Sequence, residues 1–106
     1  MTITARFLIL WDTPEDPDWF ERHYREVHVP LVKQLPGLRR YTFSRDMVPV
    51  RGELYYRIAE LDFDDIAALR QAFTSPAGRA AASDTDTLAS TARARVRSMI
   101  YELEDL

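Results

Sequence analysis

The chain carries two histidines, His23 and His28, inside the stretch Trp19-Phe-Glu-Arg-His-Tyr-Arg-Glu-Val-His-Val-Pro-Leu31. Imidazole is the side chain whose ordinary pKa lies near neutrality, so either residue can take and return a proton. His28 is the stronger candidate, because Pro30 follows it by two positions. A proline inside a helical pattern removes one backbone donor and crowds the carbonyl four residues earlier, here Glu26, which predicts a bend or an end near His28. An imidazole there either transfers protons at an open helix end or ties down loose backbone. On a regular helix, at about 100° per residue, the two imidazoles diverge by roughly 140°, which argues against a shared metal ion. His23 then reads as flanking the apolar stripe and holding a hydrogen bond at a dimer or sheet edge.

Other chemistry-bearing residues are less specific. Tyr24 lies on the apolar stripe of the same helix and reads as a packed aromatic whose hydroxyl needs a partner. Tyr41 and Tyr56 fall on strands, where alternate residues face either the helices or a cavity, and alternation alone does not assign the face. Arg40 reads as a solvated strand arginine and Asp84 as a loop-capping aspartate. Asp62, Asp64 and Asp65 suggest a cation site, but Asp62 or Asp64 as a helix cap explains them more simply. Arg93, Arg95 and Arg97 alternate, so a strand would carry all three on one face. Cysteine is absent, which removes disulfides, thiolate metal sites and a cysteine nucleophile. There is no phosphate-binding glycine loop, nucleophile elbow or paired-carboxylate arrangement.

These residues are positioned by a readable succession of elements. Ile3 to Trp11 predicts a strand with apolar residues on both faces, which wants cover on both. Asp16-Pro17 supplies a helix cap followed by proline in the first turn. Phe20, Tyr24, Val27, Leu31 and Leu35 recur at three- and four-residue steps, one stripe of a helix that Pro36-Gly37 closes. Leu38 to Met47 and Leu54 to Phe63 alternate as two antiparallel strands around a Val48 to Gly52 loop. A helix carrying Ile66, Leu69, Ala72 and Phe73 follows. Ser75-Pro76 then opens a short second helix through Ala82, Ser83 to Ser90 reads as a loop, and Arg93 to Leu103 forms a last strand.

The order βαββαβ predicts an α+β, ferredoxin-like domain over residues 1–106, with a four-stranded antiparallel sheet and helices on one face. The other face would expose a larger apolar patch than soluble monomers usually show. Two chains stacked sheet to sheet as a homodimer would cover it, with an apolar pocket between the sheets. A net charge of −3 argues against a nucleic-acid partner. The short apolar run Phe7 to Trp11 suits neither a signal peptide nor a membrane span, so a cytoplasmic protein without membrane contact is expected.

Several segments carry a family resemblance. They are Phe20-Glu-Arg-His-Tyr-Arg-Glu-Val-His-Val-Pro-Leu-Val32, Leu35-Pro-Gly-Leu-Arg-Arg-Tyr41, Phe63-Asp-Asp65, Ser75-Pro-Ala-Gly78 and Ala80-Ala-Ala-Ser-Asp84. Together they resemble the EthD family of dimeric α+β-barrel proteins. The resemblance implies a homodimer formed by face-to-face sheets, with a small-molecule cavity in each barrel. It also implies a role in catabolism of small organics, or, as in fungal relatives, in decarboxylation or oxidation of aromatic polyketides. It keeps His23 and Asp84 as site candidates beside His28. Family members often have an aromatic residue shortly after the aspartate at position 84, where this chain has Thr85, Asp86, Thr87 and Leu88, so the cavity is expected to differ in shape.

The expected function is a small enzyme without a dedicated cofactor that binds an apolar aromatic or ketonic molecule. His28 would move the proton, and the carbanion formed would lose carbon dioxide, isomerise or meet oxygen, an oxidoreductase if oxygen takes the electrons. His23, Tyr24, Tyr41, Tyr56 and Asp84 would contact the ligand, with no metal. The alternatives are a non-catalytic dimer that binds a small molecule or haem as an accessory protein, and a dimer whose cavity is filled by side chains.

Overall fold

The computed structural model describes residues 4–106, so Ile3, read as the first strand residue, lies outside the described residues. The elements are β1 (Ala5–Trp11), α1 (Pro17–His23), a π-helical turn (Tyr24–His28), α2 (Val29–Val32), β2 (Arg40–Phe43), β3 (Arg57–Phe63), α3 (Ile66–Thr74), α4 (Pro76–Thr91) and β4 (Val96–Glu102). The strands form one antiparallel sheet in the order β2-β3-β1-β4, the ferredoxin-like arrangement.

Register assigns the strand faces that alternation left open. Phe7 pairs with Leu61 and Ile100, and Ile9 with Ala59 and Ser98, while Tyr41 pairs with Leu61. Residues opposite one another share a face. Phe7, Ile9, Trp11, Tyr41, Ala59, Leu61 and Phe63 therefore lie on the side that the helices cover. The other face carries Leu8, Leu10, Ile58, Met99 and Tyr101. It also carries Arg6, which forks onto Asp62 at 2.7 and 3.0 Å and reaches Glu60 at 3.3 Å. Asp62 is thus a strand partner of Arg6; the cap of α3 is Asp65, whose Oδ1 accepts from the Ala68 N–H at 2.7 Å. Arg39 takes up Asp64 at 3.5 Å. The arginine ladder is also broken: Arg93 has a φ of 52° and reaches Glu15, and only Arg97 of the three lies in β4.

Asp16 caps α1 through the Trp19 N–H at 3.1 Å, and Ser75 caps α4 through the Gly78 N–H at 3.1 Å. α4 runs on to Thr91 instead of stopping near Ala82. The polar run Ser83 to Ser90 disguises a stripe, since Gly78, Ala81, Asp84 and Leu88 recur at three- and four-residue steps and all are buried. Gly78 lets α4 approach the end of α3, because a Cβ there would stand 2.3 Å from the Ala72 carbonyl oxygen and 2.5 Å from the Phe73 Cα.

The bend expected near His28 is a widening of the helix. Pro30 has no N–H to donate to Glu26, and the Val29 N–H bonds to the Tyr24 carbonyl five residues back. A π-helical turn of this kind inserts one extra residue into the helix. Two buried clusters result. Ala5, Val32, Leu35, Leu61, Phe63 and Leu69 pack toward one end of the sheet, and Trp11, Phe20, Tyr24 and Leu88 toward the other.

Candidate functional site

The π-helical turn changes the geometry of the histidines. In a turn closed by i→i+5 bonds, residues five apart stack one above the other, as residues four apart do on an α-helix. His23 and His28 therefore share a face, and the divergence of roughly 140° expected from α-helical pitch does not arise. Both point at α4, where Asp84 is buried on the inner stripe. The partner of His23 is this carboxylate and not a group at a dimer or sheet edge. His23 Nε2 lies 2.7 Å from Asp84 Oδ1, and His28 Nδ1 lies 2.8 Å from Asp84 Oδ2. Asp84 is thus a helix residue clamped by two imidazoles and not a loop cap.

A carboxylate only accepts, so the ring nitrogen facing each oxygen carries the hydrogen. For neutral His28 this fixes the tautomer: Nδ1–H donates to Asp84 and Nε2 keeps its lone pair. Nε2 has no hydrogen-bond partner among the described residues. Burial pushes the His28 pKa below its ordinary 6.5, and the hydrogen bond and charge of Asp84 only partly offset that. The imidazole is therefore neutral at pH 7, with a free base at Nε2. His23 is the outer member of the trio, stacked on Trp19 with ring centroids 4.7 Å apart. With both N–H groups turned onto the carboxylate, the trio is hydrogen-bonded. Among the described residues no group of three or more His, Cys, Asp or Glu is arranged to hold a metal ion.

His28 forms part of the wall of a cavity of about 410 Å³ between the helices and the sheet. The wall takes Trp11 and Tyr24 from one buried cluster and Val32, Leu35 and Leu61 from the other, so the cavity lies between the two. The cavity lies within one chain, on the helix-covered face of the sheet. α4 does not fill the space, because it presents only short side chains there: Ala81, Ala82, Thr85 and Asp86. Asp86 and Ser98, also part of the wall, are exposed, so the cavity opens between α4 and β4.

Tyr24 and Tyr41 close the opposite side, with their hydroxyls hydrogen-bonded to each other. The Tyr24 ring is stacked on Phe43 at 4.1 Å and lies 5.0 Å from the His28 ring. Burial raises both hydroxyl pKa values, that of Tyr41 to about 12, so both remain protonated donors at neutral pH. In such a pair one hydroxyl donates to the other, and the second keeps its hydrogen for a third group.

The site therefore brings together His28, Tyr24 and Tyr41 on the cavity wall, with Asp84 and His23 behind His28. Tyr56 is not with them. It precedes β3, packs edge-on against Phe20 at 5.6 Å and does not face the cavity. Arg40 is exposed in β2. Sequence reasoning passed over Trp11 and Phe7 as wall residues. Among the described residues no helix is long and apolar enough to cross a membrane.

The EthD domain profile matches residues 12–92, which hold the histidine pair, the tyrosine pair and Asp84. The chain is similar to an uncharacterised 11.0 kDa protein from the thcB–thcC intergenic region of Rhodococcus erythropolis. The two are 38% identical over 86 residues, covering 80% of this chain and 84% of that one. Among solved structures it is similar to an EthD-family protein from Bacillus halodurans, with 30% identity and a TM-score of 0.84 over 95% of this chain and 99% of that one. The fold is shared with a variant of SnoaB, a cofactor-independent oxygenase from Streptomyces nogalater, at 17% identity and a TM-score of 0.69, covering 97% of this chain and 95% of that one. Extent of match, identity and superposition agree: this chain belongs to the EthD family.

Proposed function

We propose that the protein is a homodimeric enzyme that takes an apolar aromatic or ketonic molecule into the cavity and moves a proton on it through His28. The observation that carries this reading is the His28 ring itself. Its Nδ1–H is held by Asp84 at 2.8 Å, while its unpartnered Nε2 belongs to a side chain on the wall of an apolar space. Asp84 plays two parts: it fixes the tautomer and stabilises the imidazolium once a proton arrives. In the step proposed, a C–H bond next to a carbonyl breaks and its proton goes to Nε2. The electron pair moves into the enolate, and the Tyr24–Tyr41 pair offers its one free hydrogen to a ligand oxygen, the enolate oxygen of a simple ketone or the carboxylate of an acid. The enolate or carbanion can then be reprotonated, as in isomerisation. Reaction of the enolate with oxygen is another outcome, and SnoaB, an oxygenase described as cofactor-independent, shares the fold; loss of carbon dioxide from a β-keto acid would reach the same enolate by breaking a C–C bond, after which a protonated His28 delivers the proton to carbon.

The open sheet face, where Leu8, Leu10, Ile58, Met99 and Tyr101 lack a covering layer among the described residues, supports dimerisation. Solved neighbours described as dimeric ferredoxin-like proteins give the same expectation. The proton-transfer reading is tested without the natural substrate, by following deuterium uptake at the benzylic carbon of 2-tetralone in D₂O by NMR. The wild-type protein accelerates uptake and His28→Gln does not. Equal acceleration by both would remove His28 from the chemistry, and binding of 2-tetralone without acceleration would favour a non-catalytic binding protein.

A further inference from the structure

The Tyr24–Tyr41 pair has two sides. One side faces the cavity, and the other faces a separate groove of about 180 Å³ on the outer surface. Two cations border that groove, Arg25 from the π-helical turn and Lys33 just after α2. The Arg25 guanidinium lies 5.9 Å from the Phe43 ring centroid, and Phe43 is stacked on Tyr24. Its positive charge reaches both tyrosine hydroxyls, favouring their ionised forms against the larger effect of burial. Neither Arg25 nor Lys33 forms a salt bridge among the described residues, whereas Arg57, which also stands over Phe43, is already held by Glu21.

The far end of the cavity has the opposite sign. Its open mouth carries Asp86 beside Thr85 and Ser98, and among the described residues no Lys or Arg contributes to the cavity wall. A molecule inside thus lies between an acidic mouth and a tyrosine partition backed by two unpaired cations. Such a field orients a polar guest. An anionic oxygen placed at the partition accepts a tyrosine hydrogen and is attracted by both cations, while the same group at the mouth meets like charge.

Resting on the small-molecule reading above and narrowing it, we infer that the ligand is an aromatic acid. Its ring system fills the cavity beside His28, and its carboxylate ends at the Tyr24–Tyr41 pair, with Arg25 and Lys33 as the residues that select for negative charge. A carboxylate suits the pair because its two oxygens can use the hydrogen that a tyrosine dyad leaves free while keeping one lone pair for solvent or cation. Arg25 and Lys33 act here through the tyrosines and across the partition, and they are selectivity residues rather than catalytic ones.

The experiment compares two probes of the same shape, 2-naphthoate and 2-naphthamide, by isothermal titration calorimetry at pH 7.5 and low salt. Wild-type protein is expected to bind the carboxylate about tenfold more tightly than the amide, a preference that shrinks as salt rises. In Arg25→Gln and Lys33→Gln the ratio falls toward one, and in Arg70→Gln, on the exposed side of α3, it keeps its wild-type value. If the amide binds as well as the carboxylate, the anion preference is wrong and the cavity reading stands. If neither probe binds, the cavity reading falls and takes the inference with it. A preference that survives in both groove variants would also overturn the inference, since the selecting charge would then lie elsewhere.

Discussion

Asp84 is the residue on which the site turns, and replacing it separates stability from chemistry. Asp84→Ala leaves the His23 Nε2–H and the His28 Nδ1–H without their acceptor at 2.7 and 2.8 Å. A buried donor left without a partner costs about 1–3 kcal/mol. The His28 side chain is only 9% exposed, which places its cost toward the upper end, whereas the His23 side chain at 18% can recruit water and falls toward the lower end. Part of this is offset because a carboxylate no longer has to be buried, leaving a net destabilisation of about 2–4 kcal/mol. Asp84→Asn keeps the volume and one acceptor, so it should cost about 1–2 kcal/mol. Its amide, however, presents hydrogens where a carboxylate oxygen stood. One imidazole must then turn a lone pair toward position 84, and where that is His28 its free base at Nε2 is lost. Exchange activity should fall by about 10²- to 10⁴-fold. Urea unfolding at pH 7.5 gives the stabilities, and ¹⁵N NMR of the imidazoles reports which nitrogen carries hydrogen. If Asp84→Ala is within about 0.5 kcal/mol of wild type, Asp84 does not clamp the two histidines.

Gly78→Ala forces α4 away from the Ala72 carbonyl and should cost about 1–3 kcal/mol, seen as a lower urea midpoint with an unchanged m-value; an unaffected midpoint would mean that the helices do not meet so closely. Because burial lowers the His28 pKa below 6.5, the unfolded chain binds a proton that the native state does not between 6.5 and the lower folded value. The His28 contribution is therefore complete above about pH 6.5 and is lost as pH falls toward the folded value, with a slope of up to about 1.4 kcal/mol per pH unit. Urea unfolding of His28→Gln from pH 7.5 to 5 should lack that component, and identical pH dependence in both proteins would refute it. Leu8→Glu places a charge on the open sheet face, cross-strand from Glu60 and Met99, and should shift a dimer toward monomer in light scattering after gel filtration. Tyr24→Phe and Tyr41→Phe each remove one hydroxyl of the pair and should slow 2-tetralone exchange about tenfold or more.

The fold was legible because each element carries a local signal with a mechanism: Asp16-Pro17 and Ser75-Pro76 cap helices, and the strands alternate. Prediction failed where a local rule had two readings. Ser83 to Ser90 looks like a loop by composition, yet Gly78, Ala81, Asp84, Leu88 and Ala92 keep helical spacing, and the serines and threonines occupy mainly the outer side. An aspartate on that otherwise small and apolar stripe was the available signal that a buried partner awaited it. A regular pitch of 3.6 residues per turn sets His23 and His28 on different faces. Pro30 gave warning that the helix is irregular there, but whether it kinks, ends or widens depends on packing against α4, which no single segment encodes. Tyr41 and Tyr56 were equal candidates until strand pairing put one on the cavity and left the other outside it, because face is a property of the sheet and not of the strand.

The claim at the centre is that His28, neutral and anchored by Asp84, is the base that acts on a molecule in the cavity. Its most direct test is the pH profile of kcat/KM for 2-tetralone deuterium exchange, which reports the free enzyme's essential base. The rate should rise through a single titration with its midpoint below 6.5, hold level above it, and disappear in His28→Gln. A midpoint above 6.5, or a profile that persists in His28→Gln, would contradict it.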